Sequence, residues 1–419
     1  MATFLAYVEP VSGRLYPLIP TLQELIRRGH RVAVRTGAAE VELLHSIGIE
    51  AALLAPDLVR LDATDWQART RFGALMRALN LFGSRARCQV ADLGEATAAV
   101  QPDVIVLDET SWGAAAAAEH SGLPWAFSVP SPVPITSCDA PPFGLGLTPR
   151  HDAVGRARDR VARQLTVGTL GRIIAKHVNP LRTELGLEPL HTLDAFYLAA
   201  SLVLAYTAEP FEYPRTDWPA KVRLVGPGLW EPPADPPRWL DSLSRPVVLA
   251  TCSTAFQNDV RLASVVCAAL EGEPFDVVLT TADVDVAGIR VPPNVHVERF
   301  VPHTPVLARA SCVVCHAGMG ITQKALAHGV PVVAVPFGRD QPEVARRVEV
   351  AQAGVRLPAH RLSPERLRAA VYQAIDRRPG AERIAAAFAA AGGPEAAANA
   401  LEQLAASRPR ASSRSPSAS

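Results

Sequence analysis

Short apolar runs without polar alternation, separated by helical patterns, restrict the fold that this sequence can adopt. In the N-terminal half they occur at Thr3–Val8, His30–Thr36, Val104–Leu107 and Trp125–Val129. A helical stripe between the first two runs ends at Gly29. Strands that are apolar on both faces are typical of parallel sheets covered by helices on each side. The first half is therefore predicted to form a doubly wound α/β domain.

A second block of the same kind begins at Pro246, after a segment of different composition. Eight prolines lie between Pro210 and Pro237, which predicts extended, semi-rigid chain because proline fixes φ and lacks a backbone donor. Further strands are predicted at Val247–Thr251, Asp276–Leu279, Val295–Val297, Ser311–Cys315 and Pro331–Val335. Two successive blocks predict an α/β fold of two Rossmann-like doubly wound domains that face a cleft.

The domain boundaries are predicted from these changes in pattern. The predicted parts are an N-terminal domain (1–212), a proline-rich linker (213–240), a C-terminal domain (241–390), a final helix (391–406) and a disordered Ser/Arg/Pro-rich tail (407–419). Val203–Tyr206 is expected to be the last strand of the first domain.

Composition argues against several classes of partner. The 42 basic and 41 acidic residues leave a formal net charge of +1, so no global field attracts nucleic acid or an anionic membrane. No apolar stretch approaches the ~20 residues of a membrane-spanning helix, and the N-terminus lacks the features of a signal peptide. The six scattered cysteines are expected to be free thiols in a reducing compartment. We therefore expect no stable membrane insertion and a cytoplasmic location.

The segment from Cys312 to Val348 carries the strongest chemical signal. An apolar strand delivers His316 to its carboxyl end, and the turn Ala317–Gly320 leads into a helix predicted to end near His328. The free N–H groups and positive dipole end at the start of a helix bind anions. The segment therefore predicts a diphosphate site, the alternative being an ordinary strand–turn–helix with a structural histidine.

Two other motifs overlap this segment. Cys312-x-x-Cys315-His316 matches the haem-attachment pattern, and the two cysteines alone suggest zinc or redox chemistry. Side chains alternate between faces along a strand, and the sequence has no second C-x-x-C. Neither motif is favoured over the diphosphate site.

The run from Cys312 to Val348 resembles the nucleotide-sugar signature of family 1 glycosyltransferases of the macrolide and antibiotic-tailoring type, H-x-G-x-G followed by D-Q. The resemblance extends to Asn294–Ala310 and to Ser12–Val34, so it covers both predicted domains. It implies a metal-independent, inverting glycosyltransferase of the GT-B fold with no cofactor. Such an enzyme moves a sugar from a UDP- or dTDP-sugar to a small hydrophobic acceptor, such as a polyketide, macrolide or phenolic metabolite.

The resemblance also implies roles in the donor site. The diphosphate would be bound by residues of two turns: Ser253, Thr254, His316, Gly318, Met319 and Gly320. Val301 would meet the base through its backbone, with His303 nearby. Asp340 and Gln341 would bind hydroxyls of the donor sugar, the alternative being a solvated helix cap.

Two positions depart from the family pattern. Relatives carry a glutamate for the ribose hydroxyls at the position of Lys324, whose ammonium cannot accept hydrogen bonds. Lys324 is expected to contact phosphate, or to point away while another group holds the ribose, the alternative being a solvated lysine on the surface of the helix. Where relatives place a catalytic histidine, in a G-H-x-x-P turn, this chain has Arg14. Arginine keeps its proton and cannot be a general base.

The carboxylate that would orient the missing histidine falls at the end of a predicted strand, and Asp108 matches best. Asp108 is the predicted base, with Glu109 and Glu9 as alternatives, while Arg14 would orient an acidic acceptor or stabilise developing charge. An acceptor that is already ionised would need no strong base. Two other functions remain open: a catalytically silent protein that binds nucleotide-sugars, and a nucleotide-sugar epimerase on the same fold.

Overall fold

The structure, a computed structural model, describes residues 1–59, 71–253, 260–282 and 284–407. These residues form two parallel sheets covered by helices, which confirms the predicted fold class. Of the tail predicted to be disordered, residues 408–419 lie outside the described residues.

The first sheet has seven strands, all parallel. They are β1 (Thr3–Tyr7), β2 (Arg31–Thr36), β3 (Glu50–Leu53), β4 (Val104–Asp108), β5 (Trp125–Val129), β6 (Leu202–Ala205) and β7 (Val222–Leu224). Their spatial order is β3-β2-β1-β4-β5-β6-β7. The helices of this half are α1 (Ser12–Leu15), α2 (Ile19–Arg27), α3 (Ala38–Ser46), α4 (Pro56–Val59), α5 (Arg71–Val100), α6 (Trp112–His120), α7 (Ala153–Leu165), α8 (Val167–Glu184) and α9 (Leu193–Leu198).

The second sheet has six parallel strands. They are β8 (Val247–Thr251), β9 (Asp276–Thr280), β10 (Val295–Glu298), β11 (Ala310–Cys315), β12 (Val332–Ala334) and β13 (Gly354–Arg356). Their order is β10-β9-β8-β11-β12-β13. The helices are α10 (Val260–Leu270), α11 (His303–Leu307), α12 (Met319–Ala327), α13 (Gln341–Val350), α14 (Pro364–Ile375), α15 (Arg378–Ala390) and α16 (Gly393–Ala406), with short 3-10 helices at Arg238–Ser242 and Ala359–Arg361.

The first sheet extends further along the chain than the sequence pattern predicts. The expected last strand corresponds to β6, but β7 follows it and lies inside the segment predicted as linker. Val222 pairs with Val203 across these two strands. The strand is only three residues long and lies among prolines, so its local sequence does not distinguish it from extended linker chain.

The final helix α16 packs on the N-terminal half rather than on the domain it follows. Ala397 and Leu401 share a buried core with Leu22 and Leu25 of α2. Glu402 adds an ion pair to Arg28, with 2.7 Å between the carboxylate oxygen and the guanidinium nitrogen. The chain therefore crosses between the two halves a second time, near its end.

Helix α5, with 30 residues, packs closely against α6. Gly113 permits this approach, since a Cβ there would lie 1.7 Å from the carbonyl oxygen of Ala86. Across the described ranges, no helix combines the length and apolar character required to cross a membrane.

Candidate active site

The strand order of each sheet reverses once, and α/β proteins bind ligands in the crevice at the carboxyl ends of the strands on either side of that point. These strands are β1 and β4 in the first sheet, and β8 and β11 in the second. Arg14 follows β1, and Asp108 and Glu109 lie at the end of β4. Ser253 follows β8, and His316 follows β11. The topology thus places the predicted residues at the two ligand-binding crevices.

His316 is half-buried at the end of β11. Burial lowers its pKa to about 4, while a hydrogen bond with the Thr251 backbone acts in the opposite direction. The imidazole is therefore neutral near pH 7. Within the described residues its buried Nδ1 has no hydrogen-bond partner. An unsatisfied buried polar atom costs free energy, so a ligand atom that reaches this nitrogen removes that cost.

The turn after His316 is shaped by the imidazole ring. Gly318 has an ordinary φ of −65°, but a Cβ on it would lie 2.4 Å from Nε2 of His316. Met319 is buried and begins α12. Gly320 is exposed, and an added Cβ would meet no protein atom within 4 Å. The first turn of α12 is therefore open to a ligand beside His316.

The other residues implied for the phosphate and base occupy neighbouring loops. Ser253 is buried after β8, while Thr254 lies outside the described residues. Val301 is buried in the loop between β10 and α11. His303 begins α11, with its Nε2 3.3 Å from the hydroxyl of Thr280, and burial lowers its pKa to about 4.

Asp340 and Gln341 differ in what they contact. The side-chain oxygen of Gln341 accepts hydrogen bonds from the N–H groups of Phe337 (2.7 Å) and Gly338 (3.0 Å), which fixes the turn before α13. Asp340 occupies the N-cap position, but its side chain makes no capping bond. Burial raises the pKa of Asp340, and the charge of Arg14 opposes that shift. Asp340 thus faces the cleft and the cation of the other domain.

Lys324 forms an ion pair that the sequence pattern does not predict. Its Nζ lies 2.8 Å from the carboxylate of Glu231, 93 residues away in the chain. Glu231 also accepts hydrogen bonds from the backbone N–H groups of His303 (2.9 Å) and Thr304 (3.1 Å). The signal in the sequence is weak: an acid follows a tryptophan within the proline-rich segment.

Asp108 is enclosed in the protein, which argues against its predicted role as the base. Its Oδ1 accepts hydrogen bonds from the N–H (2.7 Å) and hydroxyl (2.5 Å) of Thr110. Its Oδ2 accepts from the Glu9 N–H and the Ser111 hydroxyl, both at 2.7 Å. A carboxylate has about four lone-pair positions, so this group is saturated. Asp108 ties the ends of β1 and β4 together.

Glu109, the next residue, is the carboxylate that meets Arg14. The two form an ion pair, and Glu109 also accepts hydrogen bonds from the hydroxyls of Ser131 (2.7 Å) and Tyr197 (2.9 Å). Burial opposes the charge on Arg14, but the neighbouring carboxylates outweigh burial and raise its pKa above the ordinary value. Arg14 therefore remains a cation and cannot act as a base.

Glu9, the remaining alternative for the base, lies in the protein interior. Only 2% of it is exposed. Its carboxylate pairs with Arg85 and accepts a hydrogen bond from the Gln89 amide at 2.7 Å. Burial, and then the charge of Asp108, raise the pKa of Glu9 to about 7. Glu9 has the proton affinity of a base, but an acceptor cannot reach it in this arrangement.

A clamp between the domains fixes helix α13 beside the cleft. The carboxylate of Glu343 accepts hydrogen bonds from the backbone N–H groups of Gly144 (2.8 Å) and Gly146 (2.6 Å), both in the N-terminal half. Arg347 pairs with Glu343 at 2.9 Å and with Glu212 at 2.7 Å. Asp340 precedes this helix, so the clamp sets its position relative to Arg14.

The two cysteines of the C-x-x-C motif lie on opposite faces of the second sheet. Cys312 and Cys315 belong to different buried cores. Burial raises their pKa to about 12 and about 11, respectively. Two thiols on opposite faces of a sheet cannot bind one zinc ion or one haem, so the C-x-x-C motif is not a metal or haem site.

Solved structures share this architecture. The calicheamicin glycosyltransferase CalG4 superimposes with a TM-score of 0.74 at 21% identity, covering 97% of this chain and 99% of that one. Glycosyltransferase VinC, in complex with dTDP, gives a TM-score of 0.70 at 23% identity, covering 96% and 99%. Two Rossmann-like domains around a cleft, with an open helix start at the second switch point, define the GT-B class.

Sequence relatives identify the family. Residues 266–404 match the family described as "Erythromycin biosynthesis protein CIII-like, C-terminal domain". The 4'-demethylrebeccamycin synthase of Lentzea aerocolonigenes is 33% identical over 395 residues, which cover 90% of this chain and 92% of that protein. The chain therefore belongs to the family 1 glycosyltransferases of the antibiotic-tailoring type, and the predicted enzyme class is confirmed.

Proposed function

We propose that this glycosyltransferase moves a sugar from a UDP- or dTDP-sugar to a small hydrophobic acceptor, such as a polyketide, macrolide or phenolic metabolite, with inversion at the anomeric carbon. The observation that carries the proposal is the unpartnered Nδ1 of His316 beside the open first turn of α12. The dTDP complex of VinC and the name of the rebeccamycin-type relative are consistent with it. The proposed compartment is the cytoplasm, since Cys88, Cys138, Cys267, Cys312 and Cys315 are free thiols.

The leaving diphosphate would be stabilised without a metal. The amides of Met319 and Gly320 lie in the first helical turn, where they have no intrahelical acceptor, and they form the positive end of the helix dipole. His316 adds a hydrogen bond from a neutral imidazole. Donors fixed in place before the reaction stabilise charge at little cost in reorganisation. We therefore expect sugar transfer to be unchanged by EDTA, and a loss of activity that Mg²⁺ restores would contradict this part of the proposal.

On the acceptor side, we propose Glu109 in place of Asp108. Only 5% of the Glu109 side chain is exposed, but its partner Arg14 is 24% exposed. An acceptor O–H or N–H that displaces the Ser131 or Tyr197 hydroxyl from Glu109 would donate to this carboxylate and pass its proton to it. An acceptor that is already anionic would meet both Glu109 and Asp340, with Arg14 as the opposing charge. A neutral acceptor that carries a weakly acidic proton, such as a phenol, therefore fits this cleft better than a carboxylate.

The donor sugar would lie between the two domains, against Asp340. Asp340 makes no capping bond and is positioned by the Glu343 clamp. Its carboxylate can accept hydroxyl donors of a hexose. Closure around the donor would exclude water that could otherwise hydrolyse it.

A product assay by mass spectrometry tests the proposal. Purified protein is incubated with a panel of UDP- and dTDP-sugars and with pooled phenolic, polyketide and carboxylic-acid acceptors. We expect one sugar-sized mass gain on a neutral phenolic or polyketide acceptor, and its loss in His316→Ala. Nucleotide binding without any transfer would instead support the silent binding protein. Transfer only to carboxylic acids would overturn the assignment of Glu109 and Asp340.

A further inference from the structure

The ion pair of Glu231 and Lys324 lies between two parts of the donor site. Glu231 is bonded to the backbone of His303 and Thr304, immediately after the loop predicted to contact the base. Lys324 lies on α12, the helix whose start is the proposed diphosphate site, and it follows Met319 by five residues, or roughly 7.5 Å along the helix. In a nucleoside diphosphate the ribose connects the base to the phosphates. The pair therefore lies where the ribose is required.

We propose that Glu231 binds the ribose hydroxyl of the donor nucleotide and that Lys324 holds its carboxylate in position. The inference rests on the proposed nucleotide-sugar donor. In the family pattern, the carboxylate for the ribose is carried by the helix position that Lys324 occupies. In this chain the carboxylate comes instead from the segment that connects the two domains, and the lysine is its partner.

The charge and exposure of the pair suit this role. Burial acts to raise the pKa of Glu231, but hydrogen bonds from Lys324 and Thr304 outweigh it and bring the pKa to about 2. The carboxylate is therefore ionised and only accepts hydrogen bonds, whereas a ribose offers hydroxyl donors. The Glu231 side chain is 19% exposed and that of Lys324 13%. Thr304 is exposed, so its hydroxyl can rotate away when a ligand hydroxyl arrives.

The segment that carries Glu231, residues 225–237, is anchored to the N-terminal domain. A Cβ on Gly228 would lie 1.8 Å from the carbonyl oxygen of Pro17. Trp230 packs edge-to-face on Tyr16, with ring centroids 4.8 Å apart. Pro17 and Tyr16 belong to the turn that follows Arg14. Glu231 is therefore held between the acceptor-side turn and the donor site before any ligand binds.

The test is a cycle of nucleotide and protein variants, measured by isothermal titration calorimetry. The ligands are dTDP or UDP, whichever binds the wild-type protein more tightly, and its 3′-deoxy analogue. We expect the wild-type protein to bind the analogue about ten-fold more weakly, because one charge-assisted hydrogen bond is lost. Glu231→Gln should weaken binding of the parent nucleotide by a similar factor and leave the analogue nearly unchanged, so the ratio falls to about one.

Controls separate this role from a purely structural one. Glu298→Gln changes a carboxylate at the end of strand β10, which accepts a hydrogen bond from Trp239, and should keep the ten-fold ratio. An unchanged ratio in Glu231→Gln, whether both affinities fall together or neither falls, would overturn the proposal even though the donor site stands. If the wild-type protein binds none of the nucleotides, the proposed function itself fails.

Discussion

Replacing Gly318 with alanine tests whether His316 binds the donor phosphates. The φ of −65° at this position accepts alanine without backbone strain. The added Cβ would lie 2.4 Å from Nε2 and 3.1 Å from Cε1 of His316, whereas non-bonded atoms pack at roughly 3.5–4 Å. The imidazole must therefore retreat by about 1 Å, and a hydrogen bond lengthened by that amount is lost.

A hydrogen bond to a charged group contributes about 1.5–3 kcal/mol, so the dissociation constant of the nucleoside diphosphate should rise roughly 10- to 100-fold in Gly318→Ala. Calorimetry measures this directly. In a His316→Ala background the same substitution should have no further effect, because the displaced ring is absent. Equal losses with and without His316 would show that the substitution does not act through the imidazole. Gly94→Ala on helix α5, whose added Cβ also meets no protein atom within 4 Å, is a control for an added methyl group outside the donor site.

Three further predictions follow from the N-terminal domain and the clamp. Asp108→Asn leaves hydrogen-bond donors without acceptors in the interior. The free energy of unfolding, measured with urea, should therefore fall by about 2–5 kcal/mol. A stable variant that has lost only turnover would instead support Asp108 as the base. Burial raises the pKa of Glu9 from 4.5 to about 7, so its contribution to stability is complete below about pH 4.5 and is lost as pH rises through 7. Relative to Glu9→Gln, the wild-type protein should lose about 2.5 kcal/mol of stability between pH 5 and pH 8, and parallel pH profiles would contradict this. Gly146→Ala places a Cβ 2.3 Å from the carbonyl oxygen of Pro342, at a φ of 57°, and should lower the rate of transfer about ten-fold while nucleotide affinity changes little; unchanged transfer would show that the clamp does not position the cleft.

The repeated apolar runs allowed most of the fold to be predicted from sequence. Buried parallel strands are continuous in hydrophobicity, and the predicted Val247–Thr251 is strand β8 without change. The pattern could not predict contacts between residues that lie far apart in the chain. Strand β7 exists only through its pairing with β6. The packing of α16 on α2 joins residues that lie far apart in the chain, and no local signal specifies that contact.

The positions of the donor-side residues could be predicted from the sequence more completely than those of the acceptor-side residues. The donor side is built from one strand–turn–helix, so the position of His316 follows from local geometry. On the acceptor side, a shift of one residue in the sequence changes which carboxylate meets Arg14, because adjacent side chains at a strand end point to opposite sides. Asp108 turns into the protein and Glu109 turns to Arg14. The resemblance alone does not distinguish these two neighbours.

A crystal structure of the protein with dTDP or UDP bound would locate the donor site. We expect the β-phosphate within hydrogen-bond distance of His316 and of the first-turn amides of α12, with the ribose hydroxyl on Glu231. A nucleotide whose phosphates lie away from His316 and the start of α12 would show that this strand–turn–helix is not the donor site.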